Sequence, residues 1–206
     1  MSKLVLVSLL AGCTAHDSLP TSAPSSVRER LEDAPVRMLV APAASSGSIV
    51  VGHYVDGAWQ RARVALPIET GAITASLDAS GRVVVADFGL GLAALALPLA
   101  ANTQLTHVRL DLSAPTTSAT TWISENAAAA TASLALVLSW TLTVDGTATP
   151  LADQKLPALP LELALGGDGE RVDGTASIIA SGKLWSGADL VELDDLSLVL
   201  QAASTD

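Results

Sequence analysis

The sequence predicts an all-β fold, an antiparallel β-sandwich or strongly curved β-sheet with little helix, and three observations predict it. From Arg37 onward short apolar runs alternate with turn signals, which is the pattern of an antiparallel β protein. Several runs hold a period of two: Leu134, Leu136, Leu138, Trp140, Leu142 and Val144 form one, Leu159 to Leu165 a second and Leu196 to Leu200 a third. No convincing amphipathic helix separates them, so a βαβ layer is not the expected architecture.

A strand turns successive side chains to opposite faces. An alternation kept in phase over the eleven residues from Leu134 to Val144 therefore buries one face of a long strand and leaves the other to small and polar residues. Thr106 to Leu112 places Val108, Leu110 and Leu112 on one side and His107, Arg109 and Asp111 on the other. Asp56-Gly57, Ser80-Gly81, Asp145-Gly146 and Asp173-Gly174 are hairpin candidates, because Gly accepts the positive φ that tight turns need. Roughly eight to ten strands follow from this spacing. The run Ser124 to Ser133, with four consecutive Ala, is the one place in the body where a helix is expected to compete with a loop, and a short helical turn is expected near Arg28–Asp33.

The chain's 206 residues suit one domain plus a targeting segment and a linker. Half of them are hydrophobic, yet aromatics supply only four Trp, one Tyr and one Phe, so the core is built from Ala, Leu and Val. A net charge of −10 repels phosphate backbones and argues against nucleic acid as a partner. The same sign argues against electrostatic adhesion to anionic headgroups, so attachment to a membrane has to be apolar or covalent. After the first residues no stretch supplies about 18 uninterrupted apolar positions, and the richest, Phe88 to Ala101, contains Pro98.

That leaves the N-terminal segment. Lys3 provides a positive n-region, Leu4 to Leu10 an apolar h-region, and Ala11 and Gly12 the small residues of a cleavage site. Leu10-Ala11-Gly12-Cys13 resembles the lipobox of bacterial lipoproteins. The resemblance implies a diacylglycerol on the Cys13 thiol and cleavage that makes Cys13 the mature N-terminus. A thiol is the nucleophile strong enough to take up the lipid, and two or three acyl chains hold stably where one holds marginally. Thr14 rather than Asp after the cysteine implies the outer membrane. The expected organisation is a signal peptide over residues 1–12, a Ser/Pro-rich tether over 13–36 that keeps the domain clear of the bilayer, and an all-β domain over 37–206. The alternative is an ordinary secretory signal cut after Ala11 or Ala15, with Cys13 incidental.

Catalytic and metal-binding patterns are sparse. His16, His53 and His107 are scattered, and no cysteine pair or His-x-x-x-His exists, so no metal or cofactor is expected. No Gly-x-Ser-x-Gly or Ser-x-x-Lys motif offers a nucleophile, so the chain is not expected to be an enzyme. The loop Gly166 to Gly174 faintly resembles a calcium-binding turn, but Arg171 stands where a ligand is needed, and a solvated hairpin is expected instead. Asp189, Glu192, Asp194 and Asp195 read as a charged loop and strand edge that discourages edge pairing. Trp59, Trp122, Trp140 and Trp185 read as core or rim anchors.

The function expected from these features is a lipid-anchored, non-enzymatic binding or structural module of the cell envelope, with the membrane as one partner and a protein as a second. The alternative is a carrier of lipid or another apolar ligand, with Leu90 to Leu99 and Leu134 to Val144 as walls. A continuous apolar cavity of about 300 Å³ or more would mark the carrier, and a filled core would mark the module.

Overall fold

The computed structural model describes residues 23–55, 57–96, 102–186 and 191–205. These residues form one antiparallel sheet of sixteen strand segments, preceded by an α-helix. Their registers join these segments into eight long staves. The first stave is β1 (Val36–Val40) and β2 (Ser46–Val55), with a 3-10 turn at Pro42–Ala44 between them; the second is β3 (Ala58–Ala65) and β4 (Ile68–Leu77). The third is β5 (Val83–Leu92) and β6 (Leu95–Ala96), and the fourth is β7 (Thr103–Leu112), β8 (Thr116–Thr117) and β9 (Ala119–Ser124). The fifth is β10 (Ala127–Leu134) and β11 (Leu136–Val144). The sixth is β12 (Thr147–Pro150), β13 (Gln154–Lys155) and β14 (Leu159–Gly167). The seventh and eighth are β15 (Val172–Ser186) and β16 (Val191–Ser204).

Each stave pairs with the next in sequence, and the eighth returns to the first through β16 with β1 and β2. In the lower half the ladder closes completely: β5 pairs with β8 as well as β4, and β8 runs through Ser118 into β9, which pairs with β10. The lower half is thus an eight-stave up-and-down barrel. In the upper half two pairings are missing among the described residues. β3 does not meet the third stave, and β12 and β13 do not meet the seventh. The barrel therefore splits upward into two four-stave sheets that face each other as a sandwich, so both expected forms of the β fold are present in one molecule.

The alternation decides which way each face turns. Leu134, Leu136, Leu138 and Trp140 point inward and are buried, as are Leu159 to Leu165 and Leu196 to Leu200 at every second position. Each buried Leu contributes about 1.5–3 kcal/mol relative to exposure. The outward positions of β14 are Pro160, Glu162 and Ala164, all exposed. An interior filled with apolar side chains is the reverse of a lipid-facing barrel, whose interior is polar.

The lower mouth is covered by α1 (Val27–Asp33), whose Val27 and Leu31 are buried in the common core. Ser26 caps it by accepting from Glu29 N, and its first turn is met by the β9–β10 turn, where Glu125 O accepts from Arg28 N and Asn126 Oδ1 from Val27 N. The Arg28 guanidinium lies 5.5 Å from the Trp122 ring centre, and Trp122 donates to Gly81 O. The helix expected near Arg28–Asp33 is thus present and docked, and the span expected as tether already contributes three core residues, Val27, Leu31 and Val36.

Two expectations differ. Ala127–Leu134 is a strand, because Ala128 and Ala130 face the crowded lower interior and the register with β14 holds over the whole segment. Asp173-Gly174 is not a turn but lies inside β15; the chain reverses at Asp168 to Arg171, with Asp168 N donating to Arg171 O. Gly174 is required by close approach instead, since a Cβ there would sit 3.0 Å from Met38 Sδ. Gly57, Gly81 and Gly146 all adopt positive φ in hairpin turns, as their sequence context predicts.

Leu31→Ala is expected to destabilise the protein by about 2–5 kcal/mol in chemical denaturation. Leu39→Ala, on the outward face, should change stability by about 0.5 kcal/mol or less; equal losses would mean that α1 is not part of the core.

Candidate functional site

The outer surface carries a groove of ligand size among the described residues. It lies over the first four staves and measures about 450 Å³. Register builds it: Leu39, Ala72, Gly89 and Asp111 form one row across the sheet, and Thr70, Gly91 and Arg109 form the next. The middle of each row has little or no side chain, so the floor is backbone. A Cβ on Gly91 would lie 2.6 Å from Thr70 Oγ1, and one on Gly89 3.1 Å from Asp111 Oδ1. The walls stand three strand spacings apart, about 14 Å. One is Arg37, Leu39 and Pro42, and the other is Arg109 and Asp111.

Charge is distributed unevenly around this floor. Arg109 and Asp111 bind each other through two hydrogen bonds, of 3.2 and 2.9 Å. Arg37, Glu69 and Asp87 have no ion-pair partner among the described residues. The groove thus offers one guanidinium and two carboxylates around a neutral floor, with Leu39 as an exposed apolar wall. This suits a polar ligand, or a protein loop, that carries both signs of charge.

The interior is different. Between the two upper sheets lies a cavity of about 40 Å³ walled by apolar side chains, among them Leu92, Leu95, Leu138 and Trp140. Of the wall candidates read from the sequence, Leu92, Leu95, Leu138 and Trp140 line this cavity, Val144 is exposed, and Leu97 to Leu99 lie outside the described residues.

A third cluster sits on the outward face of β16. Glu192 and Asp194 are buried, although a charged loop and strand edge is the expectation from sequence. β16 is no edge, because β15 and β2 flank it. The carboxylates are neutralised by Lys183 of the neighbouring β15 and by Arg61 of β3, one strand beyond β2: Arg61 reaches Glu192 at 3.2 Å and Asp194 at 3.5 Å, and Lys183 Nζ donates to Glu192. Asp195, at positive φ, accepts from Gly182 N at the adjoining bulge. The Lys183 hydrogen bond holds the Glu192 carboxyl below the usual carboxylate range, against burial, and Arg61 adds to it. Asp189 lies outside the described residues.

The other sequence candidates are dispersed. Cys13 and His16 lie outside the described residues. His53 is on the first stave with its Nδ1 buried and unpartnered, and His107 sits exposed at a bulge with positive φ. No group of three or more metal-ligating side chains occurs among the described residues. Asp168 caps its turn by accepting from Glu170 N and Arg171 N, and Asp173 pairs with Arg171. Trp140 is buried and meets Trp185 edge-on at 4.7 Å, Trp122 packs on the core, and Trp59 stays exposed on the rim beside Tyr54. The groove was not foreseen. Its trace in the sequence is Gly89-Leu90-Gly91-Leu92, a strand whose outward positions are empty.

No protein-family model, curated protein or solved structure matches this chain.

A carboxyl whose folded pKa is depressed stabilises fully above its unfolded value, about 4.3 for Glu, and that stability is lost as pH falls through the folded value. Urea denaturation between pH 7 and pH 3 should therefore show a decline to which Glu192 contributes. Glu192→Gln is expected to flatten it; an unchanged slope would remove Glu192 from the cause.

Proposed function

We propose that this chain is a bacterial lipoprotein, held to the cell envelope by lipid on Cys13 and sorted to the outer membrane, whose barrel is a non-enzymatic binding module. The observation that supports a module with an external site is a contrast of volumes: about 40 Å³ within the core against about 450 Å³ in the groove. Ligand pockets commonly measure about 300–1,000 Å³. The groove falls in that range and the interior does not, which weighs against carriage of a whole lipid inside the barrel.

The tether's point of attachment supports an orientation. Pro24 lies against the β14–β15 turn, where a Cβ on Gly169 would meet its carbonyl at 1.8 Å, and α1 follows at once over the lower mouth. A lipid on Cys13 turns that end toward the bilayer. The ten residue-to-residue steps from Cys13 to Ala23 span at most about 33–36 Å when extended. The groove then faces sideways, and the split end points away.

Cys13→Ser is expected to move the protein from the envelope fraction to the soluble fraction and to remove the mass of its acyl chains. Retention in the envelope with no change in acylation would refute the anchor. A photoreactive side chain in place of Ala72, in the groove floor, should give a discrete adduct in intact envelopes that Arg37→Ala weakens. The same group in place of Ala164, on the far side, should not; equal yields at both would rule out the groove as the binding surface.

A further inference from the structure

Splitting the barrel gives its upper half sheet edges, and most of them are blunted. β15 above Ile178 carries two register shifts and a bulge with Gly182 at positive φ. β12 is four residues long and ends at Pro150, and β6 and β13 are two residues each. Bulges, proline and shortness are the devices that keep an edge from pairing with another chain. β3 has none of them. It runs through Ala58–Ala65 in unbroken register with β2 and pairs with no other strand among the described residues.

The ladder fixes which backbone groups face this edge. Leu66 N donates to Gly47 O, and residues opposite each other in an antiparallel pair alternate between bonded and non-bonded. Val64, Ala62 and Gln60 therefore bond β2, whereas Trp59, Arg61, Arg63 and Ala65 turn their N–H and C=O groups away from it. These four residues are exposed, and those groups have no partner among the described residues. Their side chains do not shield the edge either, because the long ones lean over β2. Arg61 crosses to Glu192 of β16, and Arg63 donates to Ser48 Oγ at 3.1 Å. The Trp59 ring comes within 3.4 Å of the place a Cβ on Gly52 would take.

Charge decides what can lie against this strip of backbone. In antiparallel pairing with a second copy, every register that uses at least three of the four residues sets an arginine opposite an arginine. Like charges directly opposite are unfavourable, so a copy of the same strand is a poor occupant. Arg61 is already engaged by Glu192 and Asp194, but Arg63 has no carboxylate partner among the described residues. Trp59, edge-on to Tyr54 at 5.6 Å, adds an exposed aromatic surface on the same face.

We propose that the edge of β3 takes up an extended segment of a partner protein as an added antiparallel strand, with a carboxylate opposite Arg63 and an apolar or aromatic residue four positions on, opposite Trp59. Main-chain hydrogen bonds supply the affinity, and the alternate side chains supply the selectivity. The surface is separate from the groove and rests neither on the function proposed for it nor on the lipid anchor.

The probe is the peptide Thr-Thr-Glu-Val-Thr-Val-Phe-Thr-Thr, blocked at both ends. It is titrated into the full chain carrying Cys13→Ser, so that lipid plays no part, and amide hydrogen exchange is followed by NMR. With saturating peptide the amides of Arg61 and Arg63 are expected to exchange about tenfold more slowly, while those of Ala62 and Val64, already bonded to β2, keep their rates. Arg63→Glu should weaken binding about fivefold, and a peptide with Lys in place of its Glu should recover it. The proposal is overturned if the peptide does not saturate, if protection falls equally on Ala62 and Val64, or if charge reversal leaves the affinity unchanged. Slow exchange of the edge amides before peptide is added also overturns it. Such protection at every protein concentration means that the chain covers its own edge, and protection that grows with concentration means that a second copy does.

Discussion

Pairing of the last stave with the first is the interaction on which the rest of the molecule depends. β16 meets β1 through Met38 with Ser204 and β2 through Leu198 with Gly47, so one strand joins the ends of the chain over its whole length. Closure removes sheet edges from the lower half, and with eight staves it leaves an interior just wide enough for side chains to fill. Leucine at alternate positions of β11, β14 and β16, with Ala128, Ala130 and Leu134 of β10, supplies that filling. The helix that covers the lower mouth adds Val27 and Leu31 to the same core, which ties the tether's end to the barrel rather than leaving it beside it.

The features of functional interest arise where closure relaxes or where side chains are withheld. Above Pro67 and Leu161 the ladder opens on two sides, and the cavity, the Trp140–Trp185 contact and the exposed Tyr54–Trp59 rim all belong to that upper half. The groove has the opposite origin: the staves stay paired, but Ala72, Gly89 and Gly91 leave the outward surface bare between Leu39 and Asp111. One region is a gap in hydrogen bonding, the other a gap in side-chain volume.

Electrostatics separates these regions from the bulk surface. The chain's charge of −10 sets a repulsive background for phosphate and anionic lipid. Against it, Arg61 and Lys183 are spent on Glu192 and Asp194, and Arg109 on Asp111. Arg37 in the groove has no carboxylate partner among the described residues.

By itself the sequence determined the class of fold, the inward residues of the long strands and three of the four hairpin turns it offered, since a period of two and a Gly at positive φ are properties of a few consecutive residues. It also carried the lipobox-like segment ending at Cys13, on which the anchoring proposal stands. Only the tertiary structure decided that the strands close into a barrel, that Ala127–Leu134 is one of them, and that Asp173 and Gly174 lie within a strand. It alone placed Arg61 on Glu192 across 131 residues and gathered Arg37, Gly89 and Arg109 into one groove. The physical reason is range: local alternation says which face a side chain takes, but register between distant staves says which side chains it meets, and sites are made of those meetings.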